Sequence, residues 1–181
     1  MSTVRRKVFI SYHHKDQTEV DKFISTFDKR RDLFIARALG SMNQDIVDSG
    51  NPDYVMRRIR EIYLSDSTVT IVLIGECTWA RRYVDWEIQA SLRHGPKTLP
   101  NGLLGIVLPS AAKDPSPPKR LDINLPRKNG RDGYARWYHY PSSASDLVAW
   151  IDDAFLARTD GERVKLINNP RERRLRSATC P

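Results

Sequence analysis

Thr68-Val-Thr-Ile-Val-Leu-Ile74, closed by Gly75, decides the fold of this chain. The run is continuous, β-branched and apolar on both faces, which suits a strand in the middle of a parallel sheet covered by helices on each side. Directly after it, Thr78-Trp-Ala-Arg-Arg-Tyr-Val-Asp-Trp-Glu-Ile-Gln-Ala-Ser-Leu-Arg93 contains no Gly or Pro and reads as one helix. Helical spacing aligns Trp79, Tyr83, Trp86 and Ala90 in one stripe, with Ala80, Val84, Ile88 and Ser91 beside it. Asp85, Gln89, Arg81, Arg82 and Arg93 fall on the opposite side. Glu87 is the exception, because it lies inside the apolar arc between Tyr83 and Ser91. A carboxylate against aromatic rings loses hydration and its pKa rises unless a partner compensates. Two readings stand: a functional carboxylate, or a Glu at the edge of the buried face that reaches solvent or an arginine.

Outward from this unit, strands and helices alternate. Lys7–Ser11 reads as a first strand and Leu33–Ala36 as a weaker one. Gly102–Leu108 makes a fourth, ended by Pro109, and Trp137–Tyr140 a fifth. Asp16 with Glu19 three residues on has capping-box spacing, ahead of a helix with Val20, Phe23, Ile24 and Phe27 on one face. Asn51-Pro52 starts a second helix, with Val55, Ile59 and Ile62 buried. Ser143 caps a last one, with Leu147, Val148, Ile151 and Phe155 inward. Alternation predicts an α/β, flavodoxin-like doubly wound parallel sheet of five strands in the order 2-1-3-4-5. The α/β domain is expected over residues 1–157, with a Pro-rich basic loop at 109–136 and a basic tail at 158–181. Ligands of such folds bind beyond the carboxyl ends of the strands, here Ser11–Asp16, the loop 40–50, and Gly75–Trp79 leading to Glu87.

Composition narrows the classes. The 181 residues are 40% hydrophobic and 29% charged, and the longest apolar run is too short to span a bilayer. No signal-peptide pattern opens the sequence. Cys77 and Cys180 read as lone cysteines, which fits a reducing compartment, so the expected location is cytoplasmic. The net charge of +8 is uneven: residues 109–136 and 158–176 each carry 7 basic and 3 acidic side chains, and the remainder is balanced. Nucleic-acid binding and a solvated, partly mobile basic surface both fit, and neither segment holds a nucleic-acid motif. The arginines after Asn168-Asn-Pro170 read as mobile, since little apolar surface offsets their ordering.

Several chemistries are excluded. There is no P-loop, no G-x-G-x-x-G after the first strand, no acidic cluster of a receiver domain, and no nucleophile elbow. His13 and His14 are adjacent and, in extended structure, point apart, so no metal site is expected. Cys77 reads as a packed residue rather than a nucleophile. The remaining feature, a carboxylate beside aromatics at the mouth of the sheet, suits stabilisation of an oxocarbenium-like sugar cation. The nicotinamide of NAD⁺ is already cationic before departure, so one carboxylate can suffice without a second acid.

Val8-Phe-Ile-Ser-Tyr12 followed by Lys15-Asp16 resembles the first box of Toll/interleukin receptor (TIR) domains. Ser67–Gly75 with Cys77–Ile88 resembles their third strand and following helix. More narrowly, Thr-Val-Thr-x-Val-Leu-Ile-Gly with Thr-Trp-x-Arg-Arg-Tyr-Val-x-Trp-Glu-Ile is similar to the TIR-like subunit, ThsB, of bacterial Thoeris anti-phage systems (the DUF1863 family). The resemblance implies that Glu87 is the catalytic glutamate, with Tyr83 on the aromatic position one turn before it. It implies that Ser11, Tyr12, His13 and Trp79 line the nucleotide site, joined by Asp45 or Asp48 from the loop that is the counterpart of the BB loop. Arg81 and Arg82 replace the small polar residue usual in animal TIRs, and loop 40–50 lacks Arg-Asp-x-x-Pro-Gly. The activity implied by resemblance is that of an NAD⁺ nucleosidase or ADP-ribosyl cyclase, a hydrolase of antiviral defense and cyclic ADP-ribose signalling. NAD⁺ is its substrate and it has no cofactor. Its partners would be a phage trigger, a separate effector sensing the product, and a homo-oligomer mate. The competing class is a non-catalytic TIR-like scaffold, and Glu87 discriminates, since a scaffold needs no carboxylate there.

Overall fold

A computed structural model describes residues 5–29, 34–38, 50–127, 132–173 and 176–180. Its strands are β1 (Arg6–Ser11), β2 (Phe34–Ala38), β3 (Val69–Ile74), β4 (Gly102–Val107) and β5 (Arg136–Tyr138). All pair in parallel, in the order β2-β1-β3-β4-β5. The helices are α1 (Gln17–Ile24), α2 (Pro52–Arg58), α3 (Arg82–Ser91), α4 (Lys119–Asp122), α5 (Ala144–Ala157) and α6 (Gly161–Val164). The architecture is α/β and compatible with a flavodoxin-like fold.

Every residue of β3 and β4 is buried, so both faces of the sheet need cover. The two-residue period of the strand divides the core. Ile71 and Leu73 join Val20, Phe23, Leu147 and Ile151 beneath α1 and α5. Val72 and Ile74 join Val84, Ile88 and Leu92 beneath α3. Each such side chain contributes about 1.5–3 kcal/mol by leaving water, so the apolar run of β3 is a large source of the fold's stability. A third cluster, with Val55, Met56, Ile59, Tyr83, Trp86 and Ala90, fastens α2 to α3.

Local signals worked where the backbone partner was adjacent. Asn51 accepts from the N–H groups of Asp53 and Tyr54, and Ser143 from that of Asp146. The Asp16–Glu19 capping box does not form. Asp16 turns its carboxylate to the Thr78 hydroxyl (3.3 Å), and Glu19 accepts from the Ser110 hydroxyl (2.6 Å) and N–H (3.2 Å). Ile62, expected in the core, is 41% exposed. Beyond α2 the chain loosens into a π turn, Ile59–Leu64, and its longer hydrogen-bond step rotates later residues out of the buried stripe.

The two basic segments depart most from expectation. Within the loop 109–136, Leu121, Leu125, Tyr134 and Ala135 are buried, and Arg120 is 4% exposed. Its guanidinium forks onto Asp85 (2.9 and 3.2 Å) and donates to Asn169 Oδ1 and to the carbonyls of Pro170 and Glu172. The expectation of a solvated, mobile loop is therefore corrected for the described residues. In the tail, Val164, Leu166 and Ile167 pack on the core, and the chain then crosses α3. Gln89 Nε2 donates to the carbonyls of Pro170 and Arg171, and Arg173 Nε donates to Gln89 Oε1. The N–H of Ala178 reaches the carbonyl of Ala80, and Cys180 forms a disulfide with Cys77, with Cα atoms 5.7 Å apart. The cysteines are thus a pair, and the described tail residues are held rather than mobile. No helix of the described residues is long and apolar enough to cross a membrane.

Candidate active site at the carboxyl ends of the strands

The segment expected as one helix is broken at Arg81. Thr78–Ala80 forms a 3₁₀ turn, Arg81 is extended (φ −82°, ψ 120°), and α3 begins at Arg82. Arg81 offers no side-chain cap to α3, and the Arg82 N–H instead donates to the Ser177 hydroxyl of the tail (3.2 Å). The break has two consequences. Trp79 leaves the Tyr83–Trp86–Ala90 stripe and lines a cavity of about 440 Å³ with Asp85, Pro118, Arg120 and Pro170. Arg81, placed by helical spacing on the face away from Glu87, instead lowers the Glu87 pKa by its charge.

Glu87 is 4% exposed and faces the end of β1. The Ser11 hydroxyl, on the last residue of that strand, donates to Glu87 Oε2 at 2.5 Å. Burial pushes the Glu87 pKa up to about 8, against the opposing effects of the Ser11 hydrogen bond and the Arg81 charge. This burial excludes a carboxylate reaching solvent, while the arginine of the edge-of-face reading is present as the Arg81 charge. Because the folded pKa lies above the unfolded one, folding favours the protonated group. Its contribution to stability is complete below the unfolded value near 4.5 and is lost as pH rises through about 8. The wild type should therefore lose a few kcal/mol relative to Glu87→Gln between about pH 5 and 8. Parallel pH–melting curves for the two proteins would show that folding does not raise the Glu87 pKa.

Tyr12 and His13 continue from Ser11 along the same rim. The Tyr12 hydroxyl donates to Gln17 Oε1 (2.7 Å), and its pKa is raised by burial. His13 Nδ1 accepts from the Lys15 N–H (3.0 Å) and caps the 3₁₀ turn His14–Asp16. Burial, then the charges of His14, Arg81 and Lys15, holds its imidazole down at about 4, so it is neutral at pH 7. The rings of His13 and His14 stack at 4.4 Å, a correction to the divergent geometry expected of an extended pair: the chain turns here. Among the described residues no three His, Cys, Asp or Glu side chains are grouped to hold a metal ion. Across the rim, Thr78 Oγ1 accepts from the Gly75 N–H and donates to Asp16, joining the ends of β3 and β1. A methyl group at Gly75 would overlap the Asp16 carboxylate, so this join requires glycine. Asp45 and Asp48 lie outside the described residues.

Tyr83 is buried in the α2–α3 cluster, edge-on to Trp86 at 5.4 Å. Its hydroxyl accepts from Arg82 at 2.6 Å, and the guanidinium groups of Arg81 and Arg82 lie 5.0 and 4.7 Å from its ring centre. Tyr83→Phe should keep turnover and cost about 1 kcal/mol, the loss of one partly buried hydrogen bond. Lost turnover at unchanged melting temperature would instead give the hydroxyl a role at the reacting sugar.

Sequence reading missed the Ser11–Glu87 bond, the turn of Arg81 and the Cys77–Cys180 pairing. The one available signal was the pair of basic residues, Arg81-Arg82, ahead of the apolar arc that holds Glu87. A search of curated proteins finds no match to this chain. The sequence profile of the Thoeris protein ThsB, TIR-like domain, matches residues 9–113, a stretch that holds the last three residues of β1, all of β3, β4 and α3, and the whole Ser11–Glu87 pairing. That match covers more than half of the 181 residues, and the chain belongs to this family.

Proposed function

We propose that the protein is a TIR-like signalling enzyme of bacterial anti-phage defence that cleaves NAD⁺ at the nicotinamide–ribose bond. The observation that supports this best is the buried Glu87 carboxyl, held by Ser11 at the carboxyl end of the sheet. In the reaction the C1′–N bond breaks, its electron pair goes to the nicotinamide nitrogen, and neutral nicotinamide leaves. The positive charge passes to the ribose, where the ionised Glu87 offsets it in a water-poor setting. Water then captures C1′ and loses a proton to give ADP-ribose, or a nucleophile within the same molecule closes a cyclic isomer. A second small-molecule nucleophile would give a conjugate. The cationic nicotinamide ring of bound NAD⁺ favours the ionised carboxylate, which counters the raised pKa.

Ser11 positions the carboxylate, Tyr12 and His13 line the nucleotide side, and Tyr83 supports α3 from behind. Asp45 completes the proposed nucleotide-binding set, and Trp79, turned to the cavity beside Asp85 and Arg120, falls outside it. We place the protein in the cytoplasm, where its substrate and a separate effector would meet it, activated by a phage trigger and acting singly or as a homo-oligomer. The test is NAD⁺ turnover with mass spectrometry of the products, with and without lysate of phage-infected cells. Nicotinamide release with an ADP-ribose-derived product is expected. Intact NAD⁺ under both conditions, from folded protein, would leave the scaffold reading.

A further inference from the structure

The hydrogen bonds that hold the tail also gather charge. Asn169 Nδ2 donates to the carbonyl of Gln89 (3.1 Å), and Arg173 donates to Gln89 Oε1 (2.8 Å) and to Asp53 Oδ1 (2.7 Å). They bring Arg171 and Arg173 to the end of α3, beside Arg93 and His94, with Arg60 standing opposite on the π turn after α2. The result is a cleft of about 550 Å³ rimmed by four arginines and a histidine.

This arrangement works against folding. Burial, then the charges of Arg93 and Arg173, holds the Arg60 guanidinium below its ordinary pKa. The acids acting on Arg60 are Asp53 and Glu61, and each is already paired, with Arg173 and Arg58 respectively. The carboxyl end of α3 supplies only about half an elementary negative charge. A bound anion would relieve the remainder. Guanidinium forks match phosphate oxygens, and the volume lies in the range of roughly 300–1,000 Å³ usual for small-molecule sites. Among the described residues no Phe, Tyr or Trp lines the cleft, so they offer no stacking platform for a single-stranded nucleic acid.

We propose that this cleft binds the diphosphate group of a small molecule, seated among Arg60, Arg93, Arg171 and Arg173. It lies at the end of α3 away from the tail's Ser177 cap and is distinct from the Ser11–Glu87 site. The test is calorimetric titration of the full chain at low salt with pyrophosphate, ADP and inorganic phosphate. Pyrophosphate and ADP should bind, with inorganic phosphate about tenfold weaker or worse. Binding by pyrophosphate alone would identify the inorganic ion as the ligand source, and equal or tighter binding of ADP a nucleotide. Arg60→Ala with Arg93→Ala should weaken pyrophosphate binding about tenfold or more, while the melting temperature of the free protein does not fall and NAD⁺ turnover stays unchanged. Glu87→Gln should leave pyrophosphate binding intact, which separates this cleft from the site proposed for NAD⁺. The proposal is overturned if pyrophosphate neither binds nor raises the melting temperature, or if the double variant binds as wild type. It is overturned equally if an oligonucleotide displaces pyrophosphate with steep salt dependence.

Discussion

Glu87→Gln protein is expected to fold, melt normally near pH 5, and release no nicotinamide from NAD⁺. The amide is nearly isosteric with the carboxyl and can still accept from the Ser11 hydroxyl. It cannot carry negative charge, so the developing sugar cation loses its only proposed counter-charge. Removing one fixed electrostatic partner in a water-poor site costs about 10²–10³-fold in rate, and more where the partner bears a full charge. The same group sets the pH profile. With the free carboxyl titrating near 8, wild-type kcat/KM should rise with pH through that region, while kcat should rise at lower pH because bound NAD⁺ favours the anion. A folded Glu87→Gln protein with full turnover would remove Glu87 from the chemistry. A flat wild-type profile between pH 6 and 9 would mean that the ionised form is not the working one.

The second large effect belongs to the tail. Deleting residues 171–181 should lower the melting temperature by roughly 10 °C or more under oxidising conditions. The disulfide it removes spans a sequence separation of 103, which in a chain-entropy account contributes about 5 kcal/mol. Further losses come from Arg120, a buried cation deprived of the Glu172 carbonyl, and from α3, deprived of the Ser177 cap. Cys77→Ala isolates the disulfide: it should melt lower than wild type in oxidising buffer and alongside it under a thiol reductant. A truncated protein that melts like wild type would show that the tail adds nothing to the fold. In a reducing compartment the disulfide part of this stabilisation is withdrawn and the hydrogen-bonded part remains.

These expectations separate what the linear sequence carries from what it does not. Thr68–Ile74 is apolar at nearly every position, so any alternative to a buried central strand would expose it, and the α/β class comes from that and from the alternation around it. The caps at Asn51 and Ser143 were legible for a similar reason, since donor and acceptor lie within three residues of each other. Glu87 stood out because a carboxylate inside an apolar arc conflicts with the pattern of its own helix.

Tertiary structure decided the rest, wherever a polar group had a choice among distant partners. Asp16 could cap α1 and instead meets Thr78, 62 residues away. Arg81 would have faced away from Glu87 had the helix begun at Thr78, and one extended residue reverses that. The arginines of the loop and tail read as solvated because charge runs seldom bury. Yet Arg120 is buried by Asp85, an asparagine and two carbonyls that no local pattern connects. Burial of apolar residues depends on periodicity, a property of neighbours in the chain. Hydrogen bonds and ion pairs depend on which groups the fold brings within about 3 Å, and that is fixed only when the whole chain has closed.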